Sequence, residues 1–191
     1  MSKVITFSRT FPSYHPRKGE PTNFVEKVWM SFIDLGLISM SRCCELSRET
    51  GFGWFDMNNI RKCPFTPKGH TIRKGHRFKA GDYFSPRVWG NDINPKSGRK
   101  GPYHSKQIII APDIEVKKVW NMHFEWMRKE GDAEYTLYGF INDKLVTPET
   151  AITLADNDGL TVEDMNYWFA KVKHMEEFQI ICWNEKVNYR L

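Results

Sequence analysis

An α+β fold, a mixed β-barrel with flanking helices, is what the sequence predicts, and three observations carry it. Short segments rich in β-branched and aromatic residues recur between turn signals. Two apolar stripes have helical spacing, one near each end of the chain. The resulting order is strand, helix, several strands, helix, strand. With 191 residues, 40% of them hydrophobic and 14% aromatic, the chain reads as a single domain over 1–191 with an insert at 34–65.

Val4 to Phe7 reads as a first strand, and the Pro/Gly-rich stretch from Pro12 to Pro21 as a loop. Asn23 with Glu26 offers a capping box, and Phe24, Val25, Val28, Trp29 and Phe32 follow at helical spacing. A helix over 23–33 is therefore expected. A second one is expected within the insert, near Ser41 to Thr50, followed by the aromatic turn Phe52-Gly53-Trp54-Phe55. From Phe65 to Pro112 the pattern is extended, with a turn at Lys79 to Asp82. Tyr83 to Trp89 reads as a strand whose Pro86 argues for an edge or a bulge. Asn91 to Pro102 is a loop, and Tyr103 to Ala111 and Ile114 to Met122 are further strands. Tyr135 to Ile141 is extended, with Asn142-Asp143-Lys144 as its turn. Thr161 with Asp164 caps a helix carrying Met165, Trp168, Phe169 and Val172, and Phe178 to Trp183 is the closing strand.

The longest aliphatic run, Ile108 to Ala111, is far short of the roughly 20 residues of a membrane-spanning helix. Polar residues interrupt the first residues before a signal-peptide apolar region forms. Cys43, Cys44, Cys63 and Cys182 show no CxxC spacing, so reduced thiols are expected rather than disulfides or zinc. His70 and His76 have too few partners to read as metal ligands. The expectation is a cytoplasmic protein with no cofactor, no metal and no membrane partner.

The net charge is +5, unevenly spread. Between Arg61 and Lys106 twelve basic residues face only Asp82 and Asp92, a local excess of +10 that leaves −5 for the remainder. Such a field favours an anionic partner, phosphate above all, although a solvated lysine-rich loop has the same composition.

The most informative stretch is Lys68-Gly69-His70-Thr71-Ile72-Arg73-Lys74. In a strand Thr71 and Arg73 share a face, and Lys68 can fold over it from the preceding loop. An amine, a hydroxyl and a guanidinium on one concavity suit an anion or a carbonyl. Lysine acts as a base when burial or cationic neighbours such as Arg73, Lys74 and Arg77 depress its pKa. On spacing alone, the same residues also read as a basic strand edge.

Lys68-x-x-Thr71-Ile72-Arg73, followed by Phe78-Lys79-x-Gly81-Asp82, resembles the signature of ASCH domains, a family of the PUA-like superfamily. Ile5-Thr6-Phe7 and the stretch from Asp158 to Ile181 are similar to the family's first strand and its closing helix and strand. The likeness covers about half of the chain and is greatest to the branch of bacterial amidohydrolases that deacetylate acetylated cytidine. It implies a small barrel with a cleft and, for some members, a Lys/Thr/Glu set acting on an amide. Lys68 and Thr71 match the first two positions. Asp158 falls at the acidic one, with a side chain one methylene shorter. As a hydrolase the chain would use Lys68 as base, Thr71 or a water as nucleophile, Asp158 to hold the lysine or pass the proton on, and Arg73 to steady the oxyanion.

Ser85, Arg87 and Trp89 alternate along one strand face, so Arg87 and Trp89 could hold a phosphate and a base, with Lys106 adding charge from a later strand. Trp89 packed in the core is an equal reading. Two functions follow. The first is recognition of RNA, a nucleoside or a nucleotide through Arg73, Lys74, Arg77, Ser85, Arg87, Trp89 and Lys106. The second is a metal-independent amidohydrolase acting on an acylated nucleoside through Lys68, Thr71 and Asp158. A protein partner engaged by the aromatic segment 51–59 is a third, weaker idea.

Overall fold

The computed structural model describes residues 2–51, 66–127 and 136–189. Among them are nine strands and four helices, an α+β arrangement in two compact units, 1–67 with 82–115 and 68–81 with 116–191. The strands fall into two sheets, and neither closes on itself, which corrects the closed barrel expected from the sequence.

In the first unit, β1 (Lys3–Thr6) runs parallel to β3 (Tyr83–Trp89), with Lys3 opposite Phe84 and Thr6 opposite Arg87. On its other side β3 pairs antiparallel with β4 (Gln107–Ile109) and β5 (Ile114–Glu115). Lys3 Nζ, 2.5 Å from Asp82 Oδ2, ties the start of β1 to the start of β3. Helix α1 (Phe24–Asp34) buries Phe24, Val25, Val28, Trp29 and Phe32, the stripe read from the sequence. Its start differs from expectation. Asn23 is left-handed (φ 56°) and its side chain caps nothing, whereas Thr22 Oγ1 accepts from Phe24 N at 3.3 Å. Helix α2 (Met40–Thr50) lies within the predicted insert, capped by Ser39, whose side chain accepts from Arg42 N. The aromatic turn Phe52 to Phe55, like most of the 51–59 segment, lies outside the described residues.

Pro86 is not at an edge: β3 is central, flanked on both sides. Ile110 N donates to Pro86 O at 3.0 Å, but proline has no N–H to return to the Ile110 carbonyl. Trp29 Nε1 supplies it instead, at 2.7 Å, in a buried position. A side chain of α1 thus completes a ladder rung that proline leaves open. Two expected strands are also shorter. The one read from Tyr103 begins only at Gln107, because Tyr103 is left-handed (φ 66°) in a turn. The one read over 114–122 is two strands, since Glu115 pairs with Tyr83 whereas Lys118 pairs with Cys182.

In the second unit the sheet order is β2 (His70–Lys74), β9 (Glu176–Cys182), β6 (Lys118–Met127), β7 (Thr136–Ile141) and β8 (Lys144–Leu145). Every pairing is antiparallel. Asn142 and Asp143, at φ 47° and 64°, make the tight turn between β7 and β8, as their sequence predicts. Helix α4 (Val162–Trp168) is capped by Thr161 Oγ1 accepting from Asp164 N at 3.0 Å. Phe124, Phe169 and Phe178 meet with centroids 5.0 to 5.5 Å apart and anchor the core. Buried Gln179 is satisfied by the main chain, accepting from Arg77 N and Phe78 N and donating to Phe78 O.

Helix α3 (Pro148–Asp158) was not read from the sequence, yet its signals are there. Thr147 Oγ1 accepts from Thr150 N at 3.2 Å, Pro148 occupies the first turn, and Gly159 stops the helix at φ 72°.

Candidate functional site

Asp158 is the last residue of α3, where four main-chain carbonyls have no partner inside the helix. Here they are all met. Leu160 N reaches Ala155 O, Gly159 N reaches Asp156 O, and Gly69 N reaches Asn157 O at 2.8 Å. Lys68 Nζ takes the fourth, Asp158 O, and also stands 2.6 Å from Asp158 Oδ1. The ammonium sits at the negative end of the helix dipole, and both side chains are buried, at 1% and 9% exposure. Lys68 and Asp158, ninety residues apart, are thereby brought together.

A histidine read in the sequence only as too poorly partnered to be a metal ligand joins them. His70 is fully buried, and its Nδ1 lies 3.5 Å from Asp158 Oδ1, beyond a well-formed hydrogen bond. Neither ring nitrogen has a partner of ordinary geometry, and nor does Tyr189 Oη. The Tyr189 ring packs edge-on against His70 at 5.8 Å. Burial is the strongest influence on Asp158 and opposes its charge. The Lys68 ammonium and His70 together outweigh it and hold the carboxyl below its usual range. Burial likewise pushes the His70 imidazole down, Asp158 opposing and Lys68 reinforcing, so the ring is neutral at pH 7. The signal in the sequence was position: His70 lies between Lys68 and Thr71 at the start of β2.

Thr71 is buried in β2 opposite Ile181, and strand alternation turns it to the other face from His70. Among the described residues no hydrogen bond joins it to Lys68 or Asp158. Arg73 shares its face, as expected, and Arg73 NH1 donates to Ile72 O at 2.9 Å. Burial lowers the guanidinium pKa while the Asp158 charge raises it. Lys74 is exposed and paired with Glu176. Arg77 is exposed, with its main-chain N–H on Gln179.

The other four expected ligand residues belong to the first unit. Ser85, Arg87 and Trp89 do share a face of β3, and Arg87 donates to Ser85 Oγ at 3.2 Å and to Gln107 Oε1 at 3.3 Å. Lys106 precedes β4 rather than lying in it, and its N–H points at the Asp92 carboxylate at 3.2 Å. Trp89 borders a cleft of about 420 Å³ with Arg9 and Lys100 on its walls, two cations the sequence reading did not single out. A Cβ at Gly90 on its rim would lie 2.7 Å from Asp92 Oδ1, so a larger residue there requires the Asp92 side chain to shift.

Among the described residues no three His, Cys, Asp or Glu side chains group as a metal site, and no helix is long and apolar enough to cross a membrane. Comparison with known proteins finds no matching family model, no similar curated protein and no similar solved structure.

Proposed function

We propose that the chain is a PUA-like domain of the ASCH kind that binds a nucleotide or the nucleotides of an RNA. The observation that carries this reading is the Trp89 cleft, where Trp89, Arg9 and Lys100 border one space of about 420 Å³. That volume suits a small-molecule ligand. An indole takes a base by stacking, and the two cations take its phosphate. The local excess of positive charge over 61–106 adds long-range attraction.

Titration of the full chain with uridine and adenosine monophosphates, followed by tryptophan fluorescence and calorimetry, tests it. Affinity falls as salt rises from 50 to 300 mM, and Arg9→Ala with Lys100→Ala weakens it further (conditions of about this range separate phosphate contacts from neutral ones). Absence of binding, or affinity indifferent to salt and to both substitutions, overturns the reading.

A second reading, an amidohydrolase on an acylated nucleoside, is favoured by the buried Lys68–Asp158 pair. In it, Lys68 first cedes its ammonium proton to Asp158; water, or the Thr71 hydroxyl with a later water that cleaves the acyl-threonine, then gives a proton to Lys68 and attacks the acyl carbon. The C–N bond breaks, and the proton returns to the leaving nitrogen by way of Asp158, with Arg73 near the oxyanion. Release of acetate from acetylated cytidine is the assay. Turnover that survives in Lys68→Ala would sink it.

A further inference from the structure

Tyr103 is the most exposed large hydrophobic side chain described, at 86%, and its backbone is left-handed at φ 66°. Bulky side chains rarely adopt that conformation, and it persists only where the surroundings impose it. The loop between β3 and β4 does impose it. Asn94 Oδ1 accepts from Lys96 N and Ser97 N, Asn94 Nδ2 donates to His104 O at 2.9 Å, and Asn94 N donates to Arg99 O at 2.8 Å. Ser105 Oγ accepts from Gly101 N at 2.8 Å and donates to Asp92 O at 2.6 Å, bracing the turn that presents Tyr103.

The Tyr103 and Trp89 rings stand 5.4 Å apart, inclined by 49°. A base sandwiched between two rings needs about 7 Å, two contacts of about 3.5 Å, so one base cannot lie between them. The rings instead offer two separate stacking surfaces. Beside them the loop exposes Lys96, Arg99, Lys100 and Lys106 against a single acid, Asp92.

We infer that the 90–106 loop is a stacking platform for a single-stranded polynucleotide, with one base on Trp89 and a neighbouring base on Tyr103. This rests on the cleft reading above and extends it from a nucleotide to a chain. Phosphates run along Lys96, Arg99 and Lys100. A duplex hides its base faces in its own stack and cannot use the rings.

The test measures binding of uridine monophosphate, of rU8 and dT8 octamers and of a duplex to the full chain and to Tyr103→Ala, Tyr103→Phe and Trp89→Ala. The expected result is an octamer affinity about tenfold or more lower in Tyr103→Ala, retained in Tyr103→Phe, with the mononucleotide unaffected by either. The octamer that binds more tightly identifies the strand as RNA or DNA. An octamer affinity unchanged by Tyr103→Ala, with the mononucleotide still bound, overturns the platform and leaves the cleft reading intact. A duplex bound as tightly as the octamers also overturns the platform. Failure of the unaltered chain to bind either mononucleotide or octamer overturns both.

Discussion

Lys68 closes the C-terminal end of α3 by holding the main-chain and side-chain oxygens of Asp158 together. One amine therefore serves as helix cap, ion-pair partner and neighbour to a buried histidine.

Breaking a buried pair leaves one charge without a partner, at a cost of about 3–5 kcal/mol. Lys68→Met and Asp158→Asn are each expected to lose about that much in urea unfolding, since neither side chain is more than 9% exposed. The double variant should lose less than the two losses added together, because it strands no charge. Strict additivity in the double-mutant cycle would show that the pair does not couple.

His70 makes stability depend on pH. Its folded pKa lies below the ordinary value, so the unfolded chain binds the proton more readily and stability falls as pH drops below about 6.5. The slope reaches at most about 1.4 kcal/mol per pH unit for one proton. Asp158, also held low, adds a loss in the same direction once pH falls below about 4. Unfolding midpoints taken between pH 7.5 and 5 should decline, and His70→Gln should decline less steeply. Equal slopes in both proteins would remove His70 from the account.

Trp29→Phe leaves the Ile110 carbonyl unpaired and buried, which costs about 1–3 kcal/mol. Pro86→Ala restores an N–H facing that carbonyl, so in its background the Trp29→Phe loss should shrink. A loss of the same size in both backgrounds would mean that the indole acts by packing alone.

Cys43 and Cys182 are expected to resist alkylation in the native protein. Burial pushes the Cys43 thiol up to about 12, with Cys44 adding and Arg42 opposing. Burial also raises Cys182 to about 11, against Asn184 and Lys118. Iodoacetamide at pH 8 followed by peptide mapping should leave both unmodified until urea is added. Rapid native labelling at either would contradict the burial described.

Much of the local structure was legible. The stripe Phe24 to Phe32, the Thr161 cap and the Asn142-Asp143 turn each depend on residues within one or two turns of chain, where period and capping chemistry act directly. Lys68 is legible from its place before the Thr71–Arg73 stretch, but Asp158 only through a resemblance, since nothing in their spacing says that they touch. Arg9 and Lys100 read in the sequence as ordinary surface cations, Lys100 as one of a basic run, and only the fold sets them beside Trp89.

Pro86 shows where sequence reasoning stops. A proline in a strand argues for an edge, and the sequence holds no sign that an indole 57 positions earlier will meet the carbonyl it leaves unpaired. The split of 114–122 between two sheets is of the same kind. The sequence by itself determined the helices' apolar faces, the turns and the uneven charge, because these follow from neighbouring side chains. Tertiary structure alone decided which strands pair, that the sheets stay open, and which distant groups share a site, because hydrogen-bond partners and burial are set by contacts across the whole chain.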